Sequence, residues 1–306
     1  MTVTADEFRG RVLDHPGFDP GGLLLALDED GRLLGGLHAI RAPAGLPRYA
    51  RTAGHGFILG PYVRPADRRR GLGRALLAQG EAYLRPGSHT LYLHGIRAPF
   101  YHSMEGPRQP YCGSTEVIGL TAGDEGLLAM ARTAGYHPAA EDEVSMLARL
   151  HPMPFRQPAL PGLRLVDVSG ERPWPGPVAW VCDAPTGYGY EPYGIRTYQA
   201  LAAVDGDTIV GHCLWYPMRQ PGRAVLYELR LEPTLRGCGI GKALLRGALA
   251  AMAEAGYRDV ELHTSPQRSP VAYPLYRECG FEDELSWVAL EKRLRSDDAG
   301  APAAAG

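Results

Sequence analysis

The chain contains two copies of one short glycine-rich turn, each placed where a strand pattern gives way to a helix pattern. Residues 68–73 and 236–241 share the spacing Arg-x-x-Gly-x-Gly, and both follow an apolar strand that ends near a proline. A turn of this kind before a helix offers free backbone N–H groups and the positive end of the helix dipole, which together hold a phosphate or pyrophosphate. The repeat therefore predicts a duplicated α/β module that binds an anion.

Two common nucleotide-binding motifs fail on spacing. The Walker loop requires a Ser or Thr after its Gly-Lys pair, and Ala243 occupies that place. The dinucleotide fingerprint requires a third Gly or Ala, and Lys242 and Leu76 occupy the corresponding places in the two copies.

The remaining pattern resembles the acyl-CoA pyrophosphate loop of the GNAT N-acetyltransferase superfamily. Downstream, residues 269–281 are similar to the superfamily segment Asn-x-x-Ala-x-x-Leu-Tyr-x-x-x-Gly-Phe, with Ser269 in place of Asn and Pro274 predicting a kink. The residues in register are Ala272, Leu275, Tyr276, Gly280 and Phe281. The tandem layout resembles two-module members of the superfamily, including mycothiol-synthase-like enzymes, in which the C-terminal copy performs the chemistry.

The resemblance implies an α/β fold of two tandem GNAT-type modules, each a mixed, mostly antiparallel twisted sheet flanked by helices. We expect modules at 1–150 and 162–295, a linker at 151–161 that contains four prolines, and a disordered tail at 296–306. In the first module we predict a helix at 5–14, strands at 23–28, 33–41 and 57–63, a helix at 72–84, and further elements at 91–94, 125–133 and 144–150. In the second we predict strands at 163–168, 200–204, 208–215, 225–231 and 260–263, and helices at 240–255 and 270–279.

Composition excludes several classes of partner. Lys plus Arg total 32 and Asp plus Glu total 34, so no basic face for nucleic acid is indicated. No apolar run approaches the ~18 residues of a membrane span. The five cysteines are odd in number and form no Cys-x-x-Cys pair, so we expect no metal site and a reducing compartment. They are Cys112, Cys182, Cys213, Cys238 and Cys279. We expect a cytoplasmic monomer or homodimer that acts on neither nucleic acid nor membrane.

The resemblance implies acetyl-CoA, or another short acyl-CoA, as cofactor and a small-molecule primary amine as acceptor. Backbone amides of the second loop would hold the pyrophosphate, and a splay between strands 225–231 and 260–263 would admit the thioester. The cofactor-binding residues expected in the second module are Leu229, Leu231, Arg236, Gly237, Cys238, Gly239, Ile240, Gly241, Lys242 and Ser269.

Two residues of the second module are predicted to act in catalysis. Tyr276 matches the superfamily tyrosine that donates a proton to the CoA sulfur, although a core aromatic would show the same helical spacing. Glu228 lies on the strand before the loop and is the candidate base, although a solvated ion pair with Arg230 is equally compatible with the pattern. His212 and His263 are interpreted as structural histidines that could assist.

The first module retains the loop but lacks the phenol. Ala131 stands in the register of Tyr276, so we expect this module to be degenerate or regulatory. Its expected cofactor-binding residues are Val63, Arg68, Arg70, Gly71, Gly73 and Arg74.

The acceptor pocket is the least constrained part of the prediction. We place it at Tyr188, Tyr190, Glu191 and Tyr193, because aromatic rings and an acid suit an amine. A CoA-binding sensor without turnover and a protein or peptide N-acetyltransferase remain as alternative functions.

Overall fold

The computed structural model describes residues 4–15, 17–41, 53–94, 119–121, 123–139, 143–152, 155, 162–169, 199–218 and 220–294. The helices in these residues are α1 (Ala5–Phe8), α2 (Leu72–Leu84), α3 (Glu125–Thr133), α4 (Ile240–Glu254) and α5 (Ala272–Glu278). The strands are β1 (Leu23–Leu27), β2 (Leu33–Arg41), β3 (His55–Val63), β4 (Thr90–Leu93), β5 (Leu120–Thr121), β6 (His137–Pro138), β7 (Glu143–Arg149), β8 (Leu163–Asp167), β9 (Gln199–Asp205), β10 (Thr208–Pro217), β11 (Arg223–Leu231), β12 (Asp259–Thr264), β13 (Glu282–Val288) and β14 (Leu290–Arg293).

The described residues divide into two compact units. The first unit holds the described residues up to 94, those between 119 and 139, and those from Trp287 onward. The second unit holds the described residues between Glu143 and Ser286. Each unit has its own sheet and its own buried core, as a two-module chain requires.

The sheet of the first unit runs in the order β1-β2-β3-β4-β14-β6. β3 and β4 are parallel, whereas β1, β2, β14 and β6 join their neighbours antiparallel. Leu77 and Leu84 of α2 and Leu128 of α3 pack against Ile58 and Leu91 of the sheet in one buried core. This arrangement confirms the mixed, mostly antiparallel sheet flanked by helices.

The second unit repeats this design with the order β13-β7-β12-β11-β10-β9-β8. β11 and β12 are the parallel pair, and β7, β10, β9 and β8 pair antiparallel. α4 lies very close to the sheet at Gly247, where an added Cβ would come within 2.6 Å of the Leu201 side chain. A larger residue at this point of the helix would therefore require the Leu201 side chain to shift.

Each unit contains one strand from the other half of the chain. β7 precedes the proline-rich stretch, yet it pairs with β12 of the second unit. The ladder covers six residues, from Val144 opposite Thr264 to Arg149 opposite Asp259. β14 lies near the C-terminal end, yet it pairs with β4 in the first unit. Lys292 of β14 also donates a 2.8 Å hydrogen bond to the buried carboxylate of Glu81.

The expected division of the chain into one module before residue 150 and another after residue 162 is therefore wrong for two strands. Segment 144–150, expected to complete the first module, belongs to the second sheet, and β14 belongs to the first although the second module was expected to extend to 295. The linker 151–161 is described only at His151, Pro152 and Phe155, and the tail 296–306 lies outside the described residues.

Most expected elements have the expected bounds, with two local exceptions. The helix expected at 5–14 is a short α1 followed by a π-helical stretch, Arg9–Leu13. The kink expected at Pro274 has no cause, because α5 begins at Ala272 and Pro274 lies in its first turn. A backbone N–H in a first turn has no partner inside the helix, so proline removes nothing there.

The exchange of β7 makes a specific prediction for fragments of the chain. We expect residues 143–286 to unfold cooperatively, whereas residues 151–286 should lack a cooperative transition. The shorter fragment loses the ladder to β12 and the fully buried Met146 and Ala148, and burial of one Met side chain alone contributes about 1.5–3 kcal/mol. Thermal unfolding followed by circular dichroism compares the two fragments directly. Indistinguishable transitions would contradict the assignment of β7 to the second unit.

Candidate active site

The glycine-rich loop of the second unit lies between β11 and α4. A 3₁₀ turn, Pro233–Leu235, follows β11, and α4 begins at Ile240. The first helical hydrogen bond runs from the amide of Ala243 to the carbonyl of Gly239. The helix geometry therefore leaves the amides of Ile240, Gly241 and Lys242 without a partner inside the helix, pointing away from its N-terminus.

Two glycines of this loop are required by backbone conformation. Gly237 and Gly239 have φ values of 82° and 81°, and a Cβ at either would meet no atom within 4 Å. The Arg236 guanidinium braces the loop, since its Nε lies 3.4 Å from the carbonyl oxygen of Leu231. The loop thus presents a row of backbone donors around open space, the arrangement expected for binding an anion.

The expected splay beside this loop is present. β11 and β12 pair over only three positions, from Arg223 opposite Asp259 to Val225 opposite Glu261, although both strands continue beyond. A β-bulge lies beside the separation. Trp215 of β10 is opposite Leu226 of β11, but the preceding Leu214 is opposite Glu228, so Tyr227 is an extra residue in β11. Backbone groups of β11 beyond Val225 are thereby released from the ladder to β12.

Glu228 lies on β11 beyond the ladder to β12 and contacts two basic side chains. Its Oε2 is 2.7 Å from Nε2 of His212, and its Oε1 is 3.9 Å from the Arg230 guanidinium. Burial, together with the smaller effect of the Arg230 charge, lowers the pKa of His212 to about 3. The imidazole is therefore neutral and donates its Nε2–H to the carboxylate, which keeps about a fifth of its side-chain surface exposed.

Tyr276 is buried on α5 in the core of the second unit. Its ring meets Phe281 edge-on at a centroid distance of 5.8 Å. Burial raises the pKa of Tyr276, and Cys213 and Glu228 each raise it further. The phenol therefore keeps its proton at neutral pH, which is the first requirement for a proton donor.

The remaining predicted residues of the second unit have the following contacts. Leu229 and Leu231 pack against the main core on the helix side of β11. The Lys242 ammonium lies 2.7 Å from the Glu278 carboxylate. Ser269 precedes α5, and its backbone carbonyl accepts a hydrogen bond from the amide of Tyr273. Cys238 is exposed at the tip of the loop.

Sequence reasoning missed the partners that position these groups. His212 was interpreted as structural, yet it is the direct hydrogen-bond donor to Glu228. In the structure His212 pairs with Arg230 and so lies diagonally across from Glu228 on the same face, a relation that depends on the register of β10 against β11. The approach of Cys213 to Tyr276 had no sequence signal.

The first unit has the same loop but different side chains at the two candidate catalytic positions. Arg68 Nε lies 3.0 Å from the carbonyl of Val63, and Gly71 has φ 86° before α2. The position of Glu228 is occupied by Gly60, eight residues before the loop arginine in both units. Ala131 occupies the position of Tyr276. Its carbonyl accepts a hydrogen bond from the amide five residues later, that of Tyr136, just as the Tyr276 carbonyl accepts one from the amide of Phe281.

The charged residues of the first loop are partly engaged elsewhere. Arg70 forms a 3.2 Å ion pair with Asp67. Arg69 takes the place of Gly237 and has a positive φ of 66°, an uncommon conformation for a side-chain-bearing residue. Gly73 packs its backbone near Met130, and Arg74 is exposed on α2.

Some of the expected site lies outside the described residues. This applies to the acceptor residues Tyr188, Tyr190, Glu191 and Tyr193. Within the described ranges, no three His, Cys, Asp or Glu side chains are placed to hold a metal ion. No helix in the part of the chain that the structure describes is long and apolar enough to cross a membrane.

A parallel strand pair beside a glycine loop that opens a helix is present in both units, as expected for two tandem modules of the acyltransferase fold. The profile of the Acetyltransferase (GNAT) family matches residues 3–103 and 172–281. This is more than half of the 306 residues, and the chain belongs to that family.

Comparisons with individual proteins agree with a two-module member. The chain is 27% identical to the mycothiol acetyltransferase of Clavibacter michiganensis over 281 residues, covering 87% of this chain and 78% of that protein. Matches to the mycothiol acetyltransferases of Clavibacter sepedonicus and Actinosynnema mirum are 34% identical but span only 27% of each relative's length.

Two solved structures share the fold over nearly the whole chain. A tandem GNAT protein from the clavulanic acid biosynthesis pathway aligns with a TM-score of 0.60 at 21% identity, covering 93% of this chain and 86% of that one. A GCN5-related N-acetyltransferase from Sphaerobacter thermophilus aligns with a TM-score of 0.59 at 20% identity, covering 92% and 84%.

Backbone conformation in the second loop predicts opposite effects for two similar substitutions. We expect Gly239→Ala to destabilise the protein by about 1–2 kcal/mol, because a Cβ disfavours its left-handed conformation. Gly241→Ala, two residues on and inside α4, should instead stabilise by about 0.5–1 kcal/mol, since its nearest neighbour would be Leu275 at 3.9 Å. Urea unfolding of both variants measures the difference. Equal effects would contradict the conformation of the loop.

Proposed function

We propose that the protein is an acyl-CoA-dependent N-acyltransferase, most simply an acetyltransferase, that acts on a small-molecule primary amine. The observation that supports this proposal is that Glu228 lies on β11 beyond the ladder to β12 and that the buried Tyr276 of α5 feels its charge, which raises the pKa of the phenol. The first unit has Gly60 and Ala131 at the same places. The second unit is accordingly the one to which we assign catalysis.

The residues of the second unit fit a CoA thioester. The loop at 236–242 combines free helix-start amides with open space at Gly237 and Gly239, which suits a pyrophosphate. The bulge at Tyr227 and the short ladder leave backbone N–H groups of β11 to face a carbonyl oxygen between the strands. Acetyl-CoA, when bound, supplies the acyl group in activated form as a thioester.

Glu228 is suited to accept the proton of the acceptor ammonium. Its carboxylate is partly exposed, and the hydrogen bond from neutral His212 fixes its orientation. We assign the base function to Glu228, acting directly or through one water molecule. The freed amine can then attack the thioester carbonyl directly, without a covalent enzyme intermediate.

Tyr276 is suited to protonate the departing sulfur. The raised pKa keeps a proton on its Oη, and burial keeps bulk water from competing for the developing thiolate. No nucleophile is required of the cysteines, since burial raises the pKa of Cys213 and disfavours its thiolate.

The small-molecule acceptor is supported by the relatives rather than by a pocket. The mycothiol acetyltransferase of Clavibacter michiganensis is similar to this chain over most of its length. The expected acceptor residues lie outside the described ranges, so the proposal stops at the class of primary amines.

Isothermal calorimetry with acetyl-CoA tests which loop holds cofactor. Gly239→Asp should abolish binding to the second unit through repulsion of the pyrophosphate, whereas isosteric Gly239→Asn should retain most of it. Both side chains tolerate the left-handed conformation, so the pair differs in charge alone. Gly71→Asp and Gly71→Asn apply the same comparison to the first loop, whose φ is 86°.

A wild-type stoichiometry near two, with one site lost in each Asp variant, would make the first unit a cofactor-binding partner. Loss with Gly239→Asp alone would make the first unit structural. A wild type that does not bind acetyl-CoA would overturn the proposed function.

Steady-state kinetics test the two assigned roles. With a panel of amino sugars, amino acids and aromatic amines, we expect Tyr276→Phe and Glu228→Gln each to lower kcat by about 10²–10⁴, the usual contribution of a positioned acid or base. The KM for acetyl-CoA should change little. Tyr273→Phe is the matched control, because Tyr273 lies on the same helix with its hydroxyl bonded to Asp283.

Binding of acetyl-CoA without thiol release for any amine would favour a sensor without turnover. Release with peptide N-termini but with none of the small amines would favour a protein N-acetyltransferase.

A further inference from the structure

A histidine follows the parallel ladder at the same place in both units. Counted from the first ladder pair, His55–Thr90 in one unit and Arg223–Asp259 in the other, His94 and His263 each lie four residues along the second strand. By the same count Gly60 and Glu228 lie five residues along the first strand. The two histidines therefore match by count, although His94 follows the end of β4 with a φ of 54° and His263 lies within β12.

In the first unit this histidine closes the separation. Nε2 of His94 lies 3.1 Å from both the amide nitrogen and the carbonyl oxygen of Gly60. The side chain is buried, and burial lowers its pKa to about 4, so the ring is neutral. The backbone donor that a thioester carbonyl would need at this point is thus in contact with the protein's own imidazole.

In the second unit the same nitrogen is bound to the neighbouring strand. Nε2 of His263 lies 3.0 Å from Oγ of Ser145 on β7 and 3.0 Å from Oε1 of Glu261. Glu261 is held in turn by the Arg223 guanidinium at 3.3 Å. His263, Glu261 and Ser145 are almost completely buried, so the three side chains have little freedom to rearrange.

The group that holds His263 belongs to the second unit alone. The positions of Arg223 and Glu261 are occupied in the first unit by His55 and Tyr92, whose rings contact each other at 5.1 Å. Ser145 comes from the exchanged strand β7, directly opposite His263. An aromatic pair offers no carboxylate to draw an imidazole away from the separation, whereas an anchored carboxylate does.

We propose that Glu261 and Ser145 are positioning residues of the catalytic unit, which hold His263 against β7 so that it does not close on Glu228 as His94 closes on Gly60. This inference rests on the proposed function of the second unit. It assigns the buried polar group of β7, β11 and β12 to keeping the thioester site open. The first unit, without such a group, has its site filled from within.

A crystal structure of the Ser145→Ala/Glu261→Gln variant of the whole protein tests this without any ligand. We expect the His263 ring to turn so that Nε2 lies within hydrogen-bond distance of the Glu228 backbone, as in the first unit. A ring that stays against β7 would overturn the inference. Ser145→Ala alone, which keeps the Glu261 carboxylate, is the second variant should the double variant not fold, and it should show the turned ring at partial occupancy.

Calorimetry with acetyl-CoA and with CoA measures the consequence. We expect the double variant to bind acetyl-CoA about tenfold more weakly, the effect of about one competing hydrogen bond, while CoA affinity falls less. Adding His263→Ala should restore acetyl-CoA affinity, since the ring that closes the site is gone. If Glu261 and Ser145 had only a structural role, His263→Ala would leave the affinity for acetyl-CoA as low as in the double variant or lower it further.

Controls separate this inference from the proposed function. Ser88→Ala removes an equally buried serine in the first unit and should leave both affinities unchanged. If no amine is acetylated but the ring turns and His263→Ala restores affinity, the inference stands and the transferase proposal fails. If acetyl transfer occurs but His263→Ala does not restore affinity, the inference fails alone.

Discussion

The separation of one parallel strand pair is the constraint on which the site depends. β11 and β12 stay paired only from Arg223 to Val225, and Glu228 lies on β11 beyond that point. Backbone groups released there would normally be costly if buried without partners, so such a gap persists only where a ligand or a side chain satisfies them. In the first unit His94 does so at Gly60.

Strand exchange ties the stability of each unit to the opposite half of the chain. β7 supplies both core residues, such as Met146, and the Ser145 hydroxyl next to His263. β14 supplies Lys292, whose ammonium offsets the buried carboxylate of Glu81. Removing one partner of such a buried pair typically costs about 3–5 kcal/mol. The duplicated modules are therefore separate as compact units but not as segments of sequence.

The sequence predicted the repeated local units well because their signals are local. Turn glycines with positive φ, helix starts and apolar strands fix α2, α3 and α4 within a residue or so. Exchange of β7 and β14 could not be predicted, because antiparallel pairing depends on alternation that fits either sheet equally. The same holds for the bond between His212 and Glu228: it requires the register of β10 against β11, which the bulge at Tyr227 shifts.

Duplication explains how one unit could lose the reaction while keeping its fold. The loop, the ladder and the turn before Tyr136 or Phe281 are backbone features, so they persist with Gly60, Ala131 and Arg69 in place of the residues of the second unit. Chemistry depends instead on a few side chains and on what keeps them apart. Divergence between the units therefore needs few substitutions, provided that they fall where the strands separate.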